Sequence, residues 1–300
     1  MERNKRRSAP GSSRSRAAID ELDEHFKTIT DKAIAAIVAC EAKPDRVFGD
    51  FSDLVSFVRS VAFHEGRLLE WGIAAVARCN PHLLILPPDR PMPIVPAAVQ
   101  LLKKNEWCEL QGIRLPSEVH TNKTYTPDLF IANRARHAGL IIDVKRSLAS
   151  YAESKLEDLR FRMMAVAAIA SSWLSERQGP VLVEVGTAII DGADVASDHD
   201  KGVFKLSEIG DLLEVENAGS ALTRLRDMFS ERVQSELQLQ CSKVIDVDVA
   251  GQINLIRKNN TSVDDLGMSH ANPALSPDVR PSTILPGSVR VGFARSRARR

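Results

Sequence analysis

The chain predicts an α/β fold, a mixed sheet flanked by helices with further helical segments before and after it. Two runs rich in β-formers, Tyr125 to Ala132 and Ala138 to Val144, are separated by the polar Asn133, Arg134, Arg136 and His137, the pattern of a β-hairpin. A near-continuous β-branched run from Val181 to Ile190 suits a strand covered on both faces. Around these strands, apolar residues recur at three and four, the period of helices with one buried face.

Taken in order, residues 1–16 form a basic segment, rich in Ser, Gly and Pro, that predicts disorder. A helical segment over 17–50 follows, in which Ile19, Leu22, Phe26, Ile29 and Ile37 share one face from Ala17 to Lys43. The core spans 51–191. Its first helix starts at Ser52, a residue suited to capping, and carries Leu54, Phe57, Val58 and Val61 before Gly66. The pattern resumes with Leu69, Ile73 and Val76, so either one bent helix or two short ones fit. Leu83 to Leu86 reads as a short strand closed by Pro87 and Pro88. A short helix from Ala97 to Lys104 and a strand from Trp107 to Leu115 come next. After the hairpin, Ser150 followed three residues later by Glu153 has the form of a capping box. It opens a helix whose stripe is Leu156, Leu159, Met163, Val166, Ala170 and Trp173, and Gly179 with Pro180 ends it. Residues 192–247 contain a long helical region from Leu206 to about Ser242, with Leu222, Leu225, Phe229, Val233 and Leu237 in register, suited to packing on the core or on a second subunit. Residues 248–300 lose periodicity and predict a mostly disordered tail with a basic end.

Composition narrows the class. At 300 residues, 44% hydrophobic and 26% charged, the chain has the make-up of a globular protein of one or two domains. No run reaches the roughly 18 apolar residues that span a bilayer, and the arginines near the start lack the apolar stretch of a secretory signal. The expectation is a soluble cytoplasmic protein. Cys40, Cys79, Cys108 and Cys241 are scattered, without a paired spacing for zinc or a disulfide framework. A net charge of +1 hides two basic ends, Arg3 to Arg16 and Arg290 to Arg300, able to add salt-sensitive contacts to phosphate.

The chemistry concentrates in the hairpin. Strand side chains alternate, so Asp143 and Lys145 lie on one face and Ile142 and Val144 on the other. In ordinary antiparallel register, Asp128 at the start of the first strand lies near the end of the second, which brings together two carboxylates and one amine. Two ionised carboxylates about 4 Å apart repel by roughly 4 kcal/mol at an effective dielectric of about 20, so the arrangement calls for positive charge. Lys145 supplies part of it. A hard, oxygen-seeking cation such as Mg²⁺, with Mn²⁺ as a substitute, would supply more and activate a water for attack on phosphorus, with Lys145 placed to orient or deprotonate that water.

Pro127, Asp128, Asp143 and Lys145, followed directly by a helix, resemble the PD-(D/E)XK, or restriction-endonuclease-like, nuclease superfamily. The resemblance covers Ser52 to Ile190, a little under half of the chain, and implies an αβββαβ core. It implies Asp128 and Asp143 as ligands of Mg²⁺ and Lys145 as the residue that assists the water. Many members add a glutamate from the helix before the sheet, for which Glu70 is the best match, as catalytic residue and further metal ligand, with Glu65 second. The Gln and Tyr that the RecB-like branch carries on the helix after the lysine strand are missing, and Lys155, Arg160 and Arg162 stand there instead. The implied activity is Mg²⁺-dependent hydrolysis of phosphodiesters by an endodeoxyribonuclease, DNA being inherited from the resemblance.

Other constellations fail. His64-Glu65 lacks the second histidine of a zinc protease, since Leu68 occupies its place, and Asp246 to Arg257 lacks the ligands of a calcium loop. Two readings of other classes stay open: a non-catalytic nucleic-acid-binding protein that keeps the fold, and a helix-rich interaction protein forming a homo-oligomer through the segments outside the core.

Overall fold

The structure, a computed structural model, describes residues 12–41, 44–87, 91–105, 115–117 and 121–261. The strand expected from Trp107 to Leu115 lies outside them except for Leu115, as do the tails 1–11 and 262–300 and the histidine His120.

Helix α1 runs Ser12–Val38, so helix begins inside the segment expected to be disordered to residue 16. Its face of Leu22, Phe26, Ile29 and Ile37 is buried, as the period predicts. Helix α2, Ser52–Ala77, is continuous through Gly66. Ser52 is not its cap: its hydroxyl donates to the Gly49 carbonyl at 2.6 Å and accepts the Asp45 amide at 3.1 Å, closing the preceding loop. Strand β1 is Leu83–Leu86, β2 Met92–Pro93, and α3 Pro96–Lys104 with its proline in the first turn, where a missing N–H is harmless. The first arm of the expected hairpin is broken in two. Thr124–Tyr125 forms β3, which pairs with β2, and the chain then turns at Pro127 into β4, Leu129–Asn133. Strand β5 is Ala138–Lys145, and α4 is Glu153–Ser175. The capping box at Ser150 is absent, since Ala152 occupies the cap position. Strand β6 is Glu184–Asp191. The run before it, with Val181 67% and Val183 57% exposed, lies outside the sheet, and only Ala188 to Asp191 are covered on both faces.

Beyond β7, Val203–Lys205, the long helical region expected from Leu206 is made of separate helices. Helix α5, Ile209–Leu213, stops where Glu214 takes φ +53°, and α6, Ala218–Thr261, starts after Asn217 at φ +60°. Residues 248–261, expected to lie in a mostly disordered tail, belong to that helix. Among the described residues no helix is long and apolar enough to cross a membrane.

The main sheet has the order β1-β4-β5-β6-β7 and is mixed. β5 sits at its centre, antiparallel to β4 and parallel to β6. Alternation along the central strands sends Leu129, Ile131, Ile142, Val144 and Ile190 into a core with α1, α2 and α6, and Phe130, Ala132, Ile141 and Ile189 into a second core with α3 and α4. The molecule is thus α/β, with helices on both faces of the sheet. Asp143 and Lys145 share the parity of Ile141 and emerge where β5 ends.

Candidate active site

The β4–β5 ladder ends at Leu129 opposite Ile142, and Asp128 is the next residue out. Its carboxylate takes over from the backbone there, accepting the Val144 N–H on Oδ2 at 2.7 Å. Asp143 is 4% exposed. Its Oδ2 accepts the Tyr125 hydroxyl at 2.7 Å, and its Oδ1 meets the Lys145 ammonium in an ion pair. The same Nζ lies 3.8 Å from Asp128 Oδ2. One ammonium therefore stands between two half-buried or buried carboxylates, as the alternation and register predict.

The electrostatics follow from that crowding. Burial, then the charge of Asp143, pushes Asp128 up to about 6. Burial alone would lower the Lys145 pKa, but Asp143 and then Asp128 outweigh it and hold it above the ordinary lysine value. Lys145 is consequently an ammonium at neutral pH. In that form it can orient a water and offset negative charge.

Glu70 reaches the same neighbourhood from α2. Burial and the charge of Asp128 push it up to about 7, against the opposing pull of Arg67, whose Nε is 3.8 Å from Glu70 Oε2. Among the described residues no three His, Cys, Asp or Glu side chains stand close enough together to hold a metal ion. Glu70 thus lies within electrostatic reach of the aspartates without completing a three-carboxylate cage. Glu65, the second choice, is engaged elsewhere, by Arg226 at 3.1 Å and Arg146 at 3.7 Å.

Two residues of the centre have no sequence signal of the kind that marks the acids. Tyr125 is buried beneath the Arg162 guanidinium, 5.8 Å from its ring centroid, and its hydroxyl is pushed upward by burial and by Asp143, so it stays a donor. Asp191, 2% exposed and opposite Lys145 in β6, accepts the amides of Leu148 at 3.1 Å, Ala193 at 3.2 Å and Val195 at 3.3 Å. Its oxygens pin the loops that leave β5 and β6, and the Gly192 amide adds a bond to the Lys145 carbonyl at 2.7 Å. His137 sits in the hairpin turn at φ +53°, 3.3 Å from the Val181 carbonyl, and burial with Arg67 lowers His64.

The donor set can be weighed against a hard cation. Asp143 Oδ1 is buried, and its close partner among the described residues is the Lys145 ammonium. Mg²⁺ keeps several waters and is commonly bound by one or two carboxylates plus substrate phosphate, so the pair Asp128 and Asp143 fits it without a third carboxylate. A cavity of about 280 Å³ opens beside Asp143 and Lys145 toward α4. Comparison with protein-family models, with curated proteins and with solved structures finds no match to this chain.

Proposed function

We propose that the chain is a metal-dependent nuclease of the PD-(D/E)XK kind, hydrolysing phosphodiester bonds in DNA by endonucleolytic attack. The observation that carries this reading is the Lys145 ammonium held between the carboxylates of Asp128 and Asp143 at one end of the sheet. The element order supports it: α2, then β1, β4 and β5 in two antiparallel steps, then α4 crossing to the parallel β6, is compatible with an αβββαβ core into which β2, α3 and β3 are inserted between β1 and β4.

Asp128 and Asp143 would hold Mg²⁺ or Mn²⁺, which when bound supplies charge to the phosphate oxygens and acidifies a water. Lys145 orients the attacking water and offsets the charge that builds on phosphorus. Glu70, with its pKa raised toward neutrality, is the group suited to take the proton. The water oxygen bonds to phosphorus, its proton passes to the Glu70 carboxylate, and the phosphorus–oxygen bond to one sugar breaks, the departing oxygen being protonated from solvent. Tyr125 keeps Asp143 turned toward this centre.

The test is cleavage of circular single- and double-stranded DNA in Mg²⁺, Mn²⁺ or EDTA, with Asp143→Ala and Lys145→Ala beside the wild type. Nicking that needs the metal and falls by about a hundredfold or more in both folded variants is the expected outcome. A well-folded wild type that binds DNA and RNA but leaves circles and linear controls intact would favour the non-catalytic binding protein instead.

A further inference from the structure

We infer that the cavity beside Asp143 and Lys145 receives one unpaired nucleotide, so that the substrate is cleaved in single-stranded form; this rests on the nuclease reading above. The cavity lies between the end of β5 and the first turns of α4, and its outer wall is Tyr151, Lys155, Asp158 and Arg162. Its floor is the Asp143 and Lys145 pair, so anything bound there abuts the reactive groups.

Size argues for one nucleotide. About 280 Å³ lies just below the roughly 300–1,000 Å³ of small-molecule pockets, the scale of a single nucleotide. Chemistry argues for an unpaired one. Tyr151 lines the cavity and is 40% exposed, an aromatic ring on which a base can stack only when it has left the stack of a duplex. The Lys155 ammonium has no carboxylate partner among the described residues. Arg162 donates its Nε to the Asp158 carbonyl at 3.2 Å and covers the Tyr125 ring, which leaves its outer N–H groups for a phosphate. Arg160, the third basic residue of this stretch, is taken by Glu153 at 3.0 Å and contributes nothing. Apart from the internally paired Asp143 and Lys145, the wall holds two cations against the single carboxylate of Asp158. A stacking ring beside cations is the combination by which proteins hold single strands.

The experiment is fluorescence anisotropy of the full chain in EDTA, where no cutting occurs, with labelled oligothymidylate and the same strand paired to oligodeoxyadenylate. The single strand is expected to bind about tenfold tighter than the duplex. Tyr151→Ala weakens it by about tenfold while Tyr151→Phe retains affinity, which separates stacking from the hydroxyl. Lys155→Ala lowers the slope of log affinity against log salt by about 0.7, and Asp158→Asn tightens binding. Equal affinity for both forms, or no effect of Tyr151→Ala, overturns the inference. Mg²⁺-dependent cleavage is then scored separately. Tyr151-dependent binding without cleavage supports the nucleotide cavity and sinks the nuclease, whereas cleavage of both forms at rates indifferent to Tyr151→Ala sinks the cavity and keeps the nuclease.

Discussion

Asp143 is surrounded by groups that each restrict it: the Tyr125 hydroxyl on one oxygen, the Lys145 ammonium on the other, and Asp128 across the strand. Because a carboxylate left with an unsatisfied oxygen in a buried site loses a charge-assisted bond, Tyr125→Phe is expected to destabilise the fold by about 1.5–3 kcal/mol. The same change frees Asp143 to rotate. Titration calorimetry with Mn²⁺ should therefore show affinity weakened about three- to tenfold, and unchanged affinity would reduce Tyr125 to a packing residue. The two aspartates and the lysine are legible in the sequence because they need only local register: two lie on one strand with a period of two, and the third lies just beyond the end of its hairpin partner. Tyr125 is not legible. Its direction is set by a two-residue strand whose partner, Met92–Pro93, lies far away in the chain.

At the scale of elements, α2 carries a catalytic candidate and, at Gly72, packs against Leu222 and Leu225 of α6, and two of its glycines respond in opposite senses to a side chain. A Cβ on Gly72 would overlap the buried Leu225 and lie 2.9 Å from Leu222 Cδ2, whereas one on Gly66 meets nothing within 4 Å. Gly72→Val is expected to destabilise by about 2–3 kcal/mol through overpacking, and Gly66→Ala to stabilise by about 0.5–1 kcal/mol through helix propensity. Urea unfolding of both variants reads the two signs, and a stabilised Gly72→Val would mean that α2 and α6 are not held this closely. Periodicity makes the presence of α1, α2, α4 and α6 readable, but it does not locate their ends. Ser52 and Ser150 have the residue types of caps, yet the chain places Phe51 and Ala152 in those positions. The break between α5 and α6 is carried by left-handed Glu214 and Asn217, and no Gly or Pro announces it.

For the molecule as a whole, the concentration of negative charge at one end of the sheet makes stability depend on pH and on cations. Glu70 and Asp128 bind protons more tightly folded than unfolded, with folded values near 7 and 6. The sign is therefore a loss of stability as pH rises from about 4 toward 7, with a level region above. In EDTA the melting temperature should fall between pH 5 and pH 8, and Glu70→Gln should recover about 1–2 kcal/mol at pH 8, Glu70 being only partly buried. Adding Mg²⁺ at pH 8 should raise the melting temperature of the wild type, and a wild type indifferent to both pH and Mg²⁺ would contradict the crowding of these carboxylates. The mixed sheet with helices on both faces is legible from the alternation of strands and helices, because a strand followed by a helix and another strand favours parallel pairing. That same parallel pairing bears on how the molecule is made. The acids and the lysine lie between residues 128 and 145, but the strand that flanks β5, and the Asp191 carboxylate that ties down the loop after Lys145, arrive only with residues 184–191. On a chain emerging from the ribosome, the reactive groups are synthesised well before anything can hold them together. A product cut short before Asp191 carries the motif without the carboxylate that ties down the loop after Lys145, so translation must pass that residue before the proposed site can be assembled.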